Sequence, residues 1–529
     1  MLLPVGIILL AMFNPSPEIW RHLWATRLPE MARNTFVALV GVAVGTFILG
    51  VGLAWLVVAY EFPGRRWLEG ALILPLAIPA YIQAFVFMVL FDQAGPVQQW
   101  WRAWFGPEAW FPPIRSGGGV ILVMSLVFYP YVYLLARAAF HEQAARLVDV
   151  ARTLGYTRGQ AFWRLILPMA RPSVAAGLTL ALMEVLTDVG TVRFLNFPTF
   201  SDGIFRIWHG MMAREAALGV AGLLLVTAVL VMGMERRMRG RIRYVQPVSS
   251  PRGMMAVPLS GIRGWLATAV CLTVLVGGFI LPIGQLIAWA SQEVLRRGMD
   301  AELLLYIQVV QRTVLLATVG TVVTVGLALV LASGVRFGRQ TITRWAARGA
   351  TLGYAVPAAV VALGVLYVLT AADRGINSLA RAVWGVPVGL LLTGSIVGLI
   401  YAYAARFMAV AYLSLEASLE KITPAMEETA QTLGTPRHRV VTRVYLPLIR
   451  AGGATAALVV FVEIVKELPA TLLLRPFGYD TLALRVWQEV TESLWENAAL
   501  PALTIVLVGL IPVFWLIRLA TAPIPHRDG

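Results

Sequence analysis

Long uninterrupted apolar segments recur from one end of the chain to the other, and they limit its fold more than any other feature. A helix needs about 20 apolar residues to cross a hydrocarbon layer of about 30 Å, and most of these segments approach or exceed that length. Inside lipid every backbone N–H and C=O group must be satisfied within the chain, which excludes open sheets. The sequence therefore predicts an all-α polytopic membrane protein with about twelve transmembrane helices. The predicted spans are residues 2–13, 35–59, 67–91, 117–136, 172–192, 216–234, 264–290, 313–335, 346–370, 387–405, 451–474 and 498–519.

Composition agrees with this class of protein. Hydrophobic residues make up 59% of the 529 positions and charged residues only 13%, whereas soluble domains carry about 25% charged residues. The segment 2–13 is short for a span, and it is compatible with either a clipped first helix or a re-entrant piece. It lacks a preceding basic stretch and a small-residue cleavage site, so we do not expect a removable signal peptide.

One segment occurs twice with the same spacing. Residues 149–168 and 428–447 align at an offset of 279, and eight of their twenty positions are identical. In both copies an acidic residue lies six positions before a glycine, and a proline lies thirteen positions after it. A polar segment that is duplicated between membrane spans has no use in lipid, so we interpret the two copies as docking surfaces for something in the water on one side.

The duplication extends beyond this segment. Asn34-Thr35 corresponds to Arg312-Thr313, and Ile78-Pro79-Ala80 corresponds to Val356-Pro357-Ala358, both at an offset of 278. We predict a first repeat at residues 1–234, a basic linker at 235–262 and a second repeat at 263–529. Each repeat holds six predicted spans, so the two repeats are parallel and a translocation path would lie on the axis between them.

The distribution of basic residues predicts the orientation. Lys and Arg are retained in cytoplasmic loops. If the duplicated segments, the linker and both termini share one side, that side carries most of the 43 Lys and Arg residues. We therefore predict that this side is cytoplasmic. The formal net charge of +15 is then a consequence of topology, and it requires no nucleic-acid partner.

The first copy is predicted to form two short helices. Residues 142–154 carry an apolar stripe at helical spacing, and Gly155 is a plausible left-handed cap. A second short helix at 158–167 is predicted to stop near Pro168, and the second copy repeats this plan from Pro424 to Pro447. Two uses fit such helices equally well on physical grounds: insertion into a groove of a partner protein, or rest on lipid headgroups.

The duplicated pattern resembles the EAA loop of ABC-importer permeases. In that family the loop forms coupling helices that dock into two cytoplasmic ATPase subunits, and the resemblance implies the same partners here. The central alanine of the family pattern is absent from both copies, and the first copy replaces Glu by Asp. The residues that correspond to the pattern are Asp149, Ala151, Gly155, Leu167 and Pro168 in the first copy, and Glu428, Ala430, Gly434, Leu446 and Pro447 in the second.

The chain itself has no recognisable ATP site. A phosphate-binding loop needs a lysine after a glycine, and the only two lysines, Lys421 and Lys466, follow Glu420 and Val465. We therefore expect ATP and Mg²⁺ on a partner ATPase, no bound cofactor in this chain and no enzymatic activity of its own. A secondary transporter is disfavoured because the duplicated docking segments would then have no purpose. No set of nucleophile, base or metal ligands suggests a membrane enzyme.

Two pairs of carboxylates lie within predicted spans. Glu184 and Asp188 follow the first docking segment, and Glu463 and Glu467 follow the second at the same offset of 279. A spacing of four predicts that each pair shares one helix face. Ionised carboxylates are costly in lipid, which leaves two interpretations. They form structural ion pairs with Lys466, Arg193, Arg475 or Arg485, or they line a path for a hard cation such as Fe³⁺.

A second resemblance narrows the substrate. The segments from Val462 to Ala483, from Glu184 to Val192 and from Gly203 to Trp208 look like the fused permease subunit of ferric-iron importers. This implies Fe³⁺ as the transported substrate, a periplasmic or lipid-tethered binding protein that delivers it, and a bacterial inner membrane. Thiamine permeases, which are also duplicated single chains, imply the alternative substrate.

The remaining chemistry-bearing residues suggest no further site. Cys271 is a single cysteine inside an apolar run, which predicts a small buried hydrophobe. The five histidines, at 22, 141, 209, 438 and 526, have no ligand spacing. The aromatic cluster between Trp100 and Phe111 is interpreted as a membrane-interface belt, and a seat for the binding protein is the other interpretation.

Overall fold

A computed structural model of the chain describes residues 2–12, 17–153, 155–239, 256–297, 301–337, 356–420 and 445–521, with residues 345, 347, 349, 350, 422, 426 and 432. Within these residues, ten helices are long and apolar enough to cross a membrane, and two shorter apolar helices lie at Leu3–Met12 and Gly452–Val465. The predicted all-α polytopic fold is therefore confirmed. One exception is a two-residue parallel pairing of β1 (Tyr60–Glu61) with β2 (Val257–Pro258).

The helices of the first sequence half are α1 (Leu2–Met12), α2 (Pro17–Thr26), α3 (Leu28–Ala59), α4 (Arg65–Ala71), α5 (Ala80–Phe91), α6 (Pro96–Phe105), α7 (Gly117–Thr153), α8 (Arg158–Ala161), α9 (Leu167–Thr187), α10 (Gly190–Phe194), α11 (Phe200–Phe205) and α12 (Arg214–Arg239). Those of the second half are α13 (Ile262–Leu275), α14 (Leu281–Arg297), α15 (Ala301–Phe337), α16 (Ala358–Trp384), α17 (Ile396–Leu419), α18 (Leu446–Val465), α19 (Pro469–Leu474), α20 (Leu482–Thr491) and α21 (Trp495–Thr521). A 3₁₀ turn lies at Leu74–Ala77, and π-helical turns lie at Phe162–Ile166, Arg206–Gly210 and Val276–Ile280.

The chain folds into two compact units, and each unit draws on both sequence halves. Unit 1 comprises Met1–His22, Ile204–Leu225 and Arg297–Gln488. Unit 2 comprises Leu23–Gly203, Val226–Arg296 and Glu489–Gly529. Segments of each predicted repeat are thus built into the unit that is formed mainly by the other repeat.

In unit 1, helix α1 packs against α16 through a glycine. A Cβ atom at Gly364 would lie 2.6 Å from the carbonyl oxygen of Pro4, so only glycine permits this approach. α1 is an 11-residue helix, and it does not reach the length that a complete span requires. The first predicted span is therefore a short helix that packs on the second sequence half.

In unit 2, helices α3, α7 and α9 form a close bundle. A Cβ atom at Gly177 in α9 would lie 2.8 Å from the Cα atom of Val132 in α7. One at Gly45 in α3 would lie 2.1 Å from the hydroxyl of Ser125. Small residues at helix interfaces let backbones approach in lipid, where packing and hydrogen bonds drive association.

Three predicted spans are interrupted in the structure. The span 67–91 divides into α4, the 3₁₀ turn and α5, because Pro79 lies at the N-cap of α5. The span 172–192 is broken at Asp188, between α9 and α10. The span 451–474 is broken at residues 466–468, between α18 and α19.

Two predicted spans differ at their N-terminal ends. The span 387–405 is displaced, because helix α17 begins at Ile396 and residues 385–395 are irregular. The span 346–370 lies partly outside the described residues, and helix α16 starts after Pro357. Pro79 and Pro357 occupy the same position, the N-cap of a helix, which explains the repeated Pro-Ala pair. Cys271 is buried with 0% exposure, as predicted.

Candidate functional site

The first docking segment continues directly from a membrane span. Helix α7 runs without interruption from Gly117 to Thr153, so residues 142–153 extend a transmembrane helix. This corrects the expectation of a separate short helix. Asp149 belongs to this helix, but its side chain lies outside the described part. Ala151 is buried with 1% exposure.

Gly155 terminates this helix as predicted. Its φ is +74°, in the left-handed region that glycine adopts without strain. The N–H of Tyr156 donates to the carbonyl of Ala151 at 2.9 Å, which is the longer hydrogen bond of a Schellman motif. Thr157 then opens α8 with a capping box that includes Gln160. The turn between α7 and α8 is therefore fixed by one backbone–backbone hydrogen bond and by the two side chain–backbone hydrogen bonds of the capping box.

The second predicted helix, 158–167, does not end near Pro168, which corrects a second expectation. The segment from Arg158 to Thr187 is one helical element, because the π-helical turn Phe162–Ile166 joins α8 to α9. Leu167 and Pro168 follow this π-helical turn as the first residues of α9. Leu167 and Pro168 therefore link the docking segment rigidly to the span that carries Glu184.

An aromatic cluster anchors this segment to unit 2. The ring of Trp55 lies 4.7 Å from that of Phe162 and 5.8 Å from that of Phe140, between ring centroids. Arg164 packs over the ring of Tyr156 at 5.4 Å. Such ring contacts contribute about 0.5–1.5 kcal/mol each beyond their buried area. The docking segment is therefore held by side chains from α3 and α7.

A charged cluster lies on the same stretch of α7, and the sequence did not reveal it. Arg137 Nε donates to Glu69 Oε1 at 2.8 Å, and His141 Nε2 lies 3.6 Å from the same oxygen. The hydroxyl of Tyr133 donates to the carbonyl of Glu69 at 2.9 Å. These contacts attach α4 to the part of α7 that leads into the docking segment. Glu69 and Arg137 are 68 residues apart, so no local pattern could indicate their pairing.

The second docking segment is described only at its edges. Glu428, Ala430 and Gly434 lie outside the described residues, whereas Leu446 and Pro447 open α18 as Leu167 and Pro168 open α9. Before the segment, the guanidinium of Arg336 donates to the carbonyls of Leu419 and Ile422. It also packs over the ring of Tyr445 at 5.5 Å.

In the first half, the predicted carboxylate pair straddles the end of a helix. Glu184 is half-buried in the last turn of α9, and Asp188 follows the helix with an extended backbone. Asp188 Oδ1 accepts the N–H of Thr191 at 2.7 Å, and the Asp188 carbonyl accepts the hydroxyl of Ser201 at 2.8 Å. Asp188 thus caps α10. The premise that the two carboxylates share one helix face is corrected, because the helix ends between them.

In the second half, the corresponding carboxylates are paired with cations. Lys466 Nζ lies 2.7 Å from Glu463 Oε1, and the guanidinium of Arg406 binds Glu467 Oε2. Glu467 is buried with 4% exposure. Its Oε1 accepts the N–H of Ala470 at 3.0 Å, so Glu467 caps α19 as Asp188 caps α10.

The two breaks therefore have the same backbone function and different charge balance. At the offset of 279, Val127 and Thr187 stand where Arg406 and Lys466 stand in the second half. No cation pairs with Asp188 in the described part of the chain. Lys466 pairs with a span carboxylate, as the ion-pair interpretation predicted, whereas Arg193 pairs with Asp202 and Arg475 with Asp480.

Among the residues described, no three His, Cys, Asp or Glu side chains form a metal-binding group.

The repeated Asn/Arg-Thr pair anchors the loop after each break. Thr35 Oγ1 accepts the N–H of Phe200 at 3.1 Å, and Thr313 Oγ1 accepts the N–H of Leu482 at 2.9 Å. Asn34 Nδ2 donates to the Pro198 carbonyl at 3.0 Å. Arg312 donates to the Gly478 carbonyl at 2.8 Å. The internal symmetry of the sequence is thus expressed in equivalent long-range hydrogen bonds.

Comparison with known proteins gives a family and several relatives. The family described as "Binding-protein-dependent transport system inner membrane component" matches residues 46–244 and again residues 324–522. The chain is 27% identical to the Fe(3+)-transport system permease protein FbpB 2 of Haemophilus influenzae, over 94% of this chain and 91% of that protein. It is 30% identical to the molybdenum transport system permease protein ModB of Escherichia coli, over 35% of this chain and 80% of that protein. A chain of a bacterial alginate ABC transporter, solved with an alginate-bound periplasmic protein, aligns with 18% identity and a TM-score of 0.37 over 48% of this chain and 93% of that chain.

Proposed function

The chain belongs to the family of binding-protein-dependent transport system inner membrane components, and from this premise we propose that it is the fused permease subunit of a ferric-iron ABC importer. Its two family matches, one in each half, and its ten long apolar helices within the described residues agree with a multi-pass protein of the bacterial inner membrane. Both termini are proposed to be cytoplasmic, from the distribution of Lys and Arg.

The observation that carries the substrate proposal is the length of the match to the Haemophilus influenzae ferric-iron permease. The alignment covers 94% of this chain, so it includes both repeats, both docking segments and both carboxylate pairs. The molybdenum permease aligns with only 35% of the chain. A fused relative that transports Fe³⁺ therefore supports iron more directly than a single-repeat relative supports another substrate.

Energy is proposed to enter through the two docking segments. Two cytoplasmic ATPase copies would bind ATP and Mg²⁺ and pull on residues 142–155 and on the segment around Glu428 and Gly434. The continuity of α7 from Gly117 to Thr153 supports this proposal, because one helix connects the docking segment directly to the membrane-spanning part. The hydrogen-bonded turn at Gly155 connects α7 in turn to α8 and α9, and α9 carries Glu184.

The carboxylates are proposed to act on the cation during its passage. Glu184, Asp188, Glu463 and Glu467 supply hard oxygen donors of the kind that Fe³⁺ prefers. In the second half these donors are held by Arg406 and Lys466, which keeps them satisfied when no ion is present. A binding protein, periplasmic or lipid-anchored, is proposed to deliver the iron.

Uptake by the reconstituted complex tests the substrate. Vesicles that contain this chain, its ATPase partner and its binding protein are supplied with radiolabelled ferric iron, molybdate or thiamine, with ATP inside or absent. We expect ATP-dependent accumulation of iron and none of the other two substrates. Accumulation of molybdate or thiamine without iron would contradict the assignment to iron while leaving the family unaffected.

A further inference from the structure

Helix α7 carries four polar side chains spaced four residues apart, which are Tyr129, Tyr133, Arg137 and His141. Side chains at this spacing lie along one side of a helix. All four contact the end of α4, at Glu69 or Leu72. The stripe ends where residues 142–153 of α7 lead into the first docking segment. We call these contacts the α4–α7 clamp.

The two tyrosines of the clamp replace hydrogen bonds that the helix break removes. In a continuous α-helix the N–H of Ile73 would donate to the carbonyl of Glu69, but it donates to the carbonyl three residues back instead. The hydroxyl of Tyr133 donates to the Glu69 carbonyl at 2.9 Å, and that of Tyr129 donates to the Leu72 carbonyl at 2.7 Å. α7 thus completes the hydrogen bonding at the break between α4 and the 3₁₀ turn.

The charged part of the clamp lies one and two helical turns closer to the docking segment. Arg137 Nε donates to Glu69 Oε1 at 2.8 Å, and a second guanidinium nitrogen contacts the same oxygen. The side chains of Arg137 and Glu69 are only 9% and 15% exposed, so solvent screens this pair less than a surface pair. His141 Nε2 lies 3.6 Å from the same oxygen. One carboxylate therefore contacts two successive turns of α7.

The clamp connects the docking segment to a second broken span. After the 3₁₀ turn the chain continues as α5, which packs against α10, the short helix that Asp188 caps. All of these elements belong to unit 2. The docking segment therefore has two connections to the break at Asp188. One follows the chain through α8 and α9, and the other passes through the clamp to α4 and α5.

The sequence of the second half repeats the charged pair with inverted sign. At the offset of 279, Glu416 stands where Arg137 stands in the first half, and Arg348-Gly349-Ala350 stands where Glu69-Gly70-Ala71 stands. Arg348 lies outside the described residues. Because both positions change sign together, an attraction between them would be retained. The inversion supports a use for the pair in both halves, and it supplies the design of a test.

We propose that Glu69 is a positioning residue for energy coupling. Through Arg137 it makes α4 follow the end of α7, so that a movement imposed on the docking segment reaches α5 and α10 as well as α9. Without the clamp, ATP hydrolysis continues but less of it is converted into transport. The inference rests on the proposed function, because it requires an ATPase that acts on residues 142–155.

The amount of iron imported per ATP hydrolysed measures this role in vesicles that hold the complete complex. Glu69→Gln removes the charge and keeps the size of the side chain. We expect the ratio to fall about fivefold, within the range that single changes in a coupling network produce, with ATP hydrolysis and the amount of folded chain unchanged. The control is Glu61→Gln, which removes an exposed carboxylate that pairs with Arg65, four residues away. It should import as the wild type does.

Charge inversion separates positioning from a general effect on folding. Glu69→Arg alone places two like charges together and should reduce the ratio at least as much as Glu69→Gln. Glu69→Arg with Arg137→Glu gives the first half the polarity of the second and should recover most of the ratio. A wild-type ratio in Glu69→Gln, or no recovery in a folded double variant, would overturn the proposal.

Hydrogen exchange in residues 142–153 of the chain alone tests the clamp without any transported substrate. We expect faster exchange in Glu69→Gln than in Glu61→Gln, because only the first loses a contact with α7. Equal exchange in the two variants would overturn the proposal. A wild-type complex that imports no iron would contradict the proposed function, and the exchange result would still decide whether Glu69 holds the docking segment.

Discussion

Single residues decide how charge is tolerated inside the membrane-spanning part. Glu467 is almost completely buried, and it is compensated by one cation, Arg406, and one backbone N–H, that of Ala470. Buried pairs of this kind are sensitive to the loss of either partner, since the remaining charge is left without compensation. The pair is therefore more informative when its members are changed separately and together.

Arg406→Met should destabilise the protein more than any neutral substitution nearby. Removal of one partner of a buried pair costs about 3–5 kcal/mol, so we expect a large fall in the thermal unfolding midpoint of the purified protein. The double variant Arg406→Met with Glu467→Gln should recover most of that loss. Equal destabilisation by the single and the double change would mean that the charge pair is not what stabilises this break.

Gly155→Ala should destabilise the turn at the end of α7 by straining its backbone, without any steric clash. A Cβ atom there would meet nothing within 4 Å, but a left-handed conformation costs a non-glycine residue about 1–2 kcal/mol. We expect reduced coupling, measured as iron imported per ATP hydrolysed. The matched control is Gly159→Ala, which also meets nothing within 4 Å and lies in helix α8. Identical coupling in both variants would contradict the role of the Gly155 turn.

At the scale of elements, the two broken helices are the main internal symmetry of the fold. Each break is capped by a carboxylate, and the loop that follows is anchored by the hydroxyl of Thr35 or Thr313. The anchored loops keep α10 and α19 in position relative to the first long helix of each half, α3 and α15. The segments that follow the two breaks are therefore positioned by hydrogen bonds between residues far apart in the sequence.

Thr35→Val should release the loop after the first break. The buried N–H of Phe200 would lose its acceptor, at a cost of about 1–3 kcal/mol, and hydrogen exchange around residue 200 should accelerate. Thr46→Val is the control, because Thr46 is equally buried and its hydroxyl donates only to carbonyls of its own helix. Faster exchange in both variants would indicate general loosening of α3 and would contradict a specific anchor.

The elements also show what the sequence could and could not reveal. Hydropathy predicted the spans because burial in lipid needs only composition and length. It did not predict the break at Asp188, since averaging over a window does not register one extended residue. It placed the start of a span at residue 387, because residues 385–395 have the apolar composition of a span but an irregular backbone. Arg406, 61 residues from Glu467, was missed because pairing in three dimensions leaves no local pattern.

At the scale of the whole molecule, the sequence halves and the compact units do not coincide. Helix α1 of the first half packs in unit 1, and α13, α14 and α21 of the second half belong to unit 2. Each unit therefore contains structural parts of both repeats.

Charge reversal in both docking segments tests their role in the assembled transporter. Asp149→Arg with Glu428→Arg should abolish iron uptake, because the proposed contacts with the two ATPases would become repulsive or be lost. The amount of inserted, folded chain should be unchanged. Asp149→Glu, which keeps the charge and gives the first copy the acidic residue that the second copy has, is the control and should transport as the wild type does. Undiminished uptake in the double variant would show that transport does not depend on the docking segments.

The most direct test of the account is whether this chain moves iron only when an external ATPase drives it. Uptake of radiolabelled ferric iron is measured in vesicles that contain the chain alone, the chain with its ATPase partner, or the same complex without ATP. We predict accumulation against a gradient only in the complete complex with ATP. Accumulation by the chain alone would contradict the account, because transport would then proceed without the proposed ATPase partner.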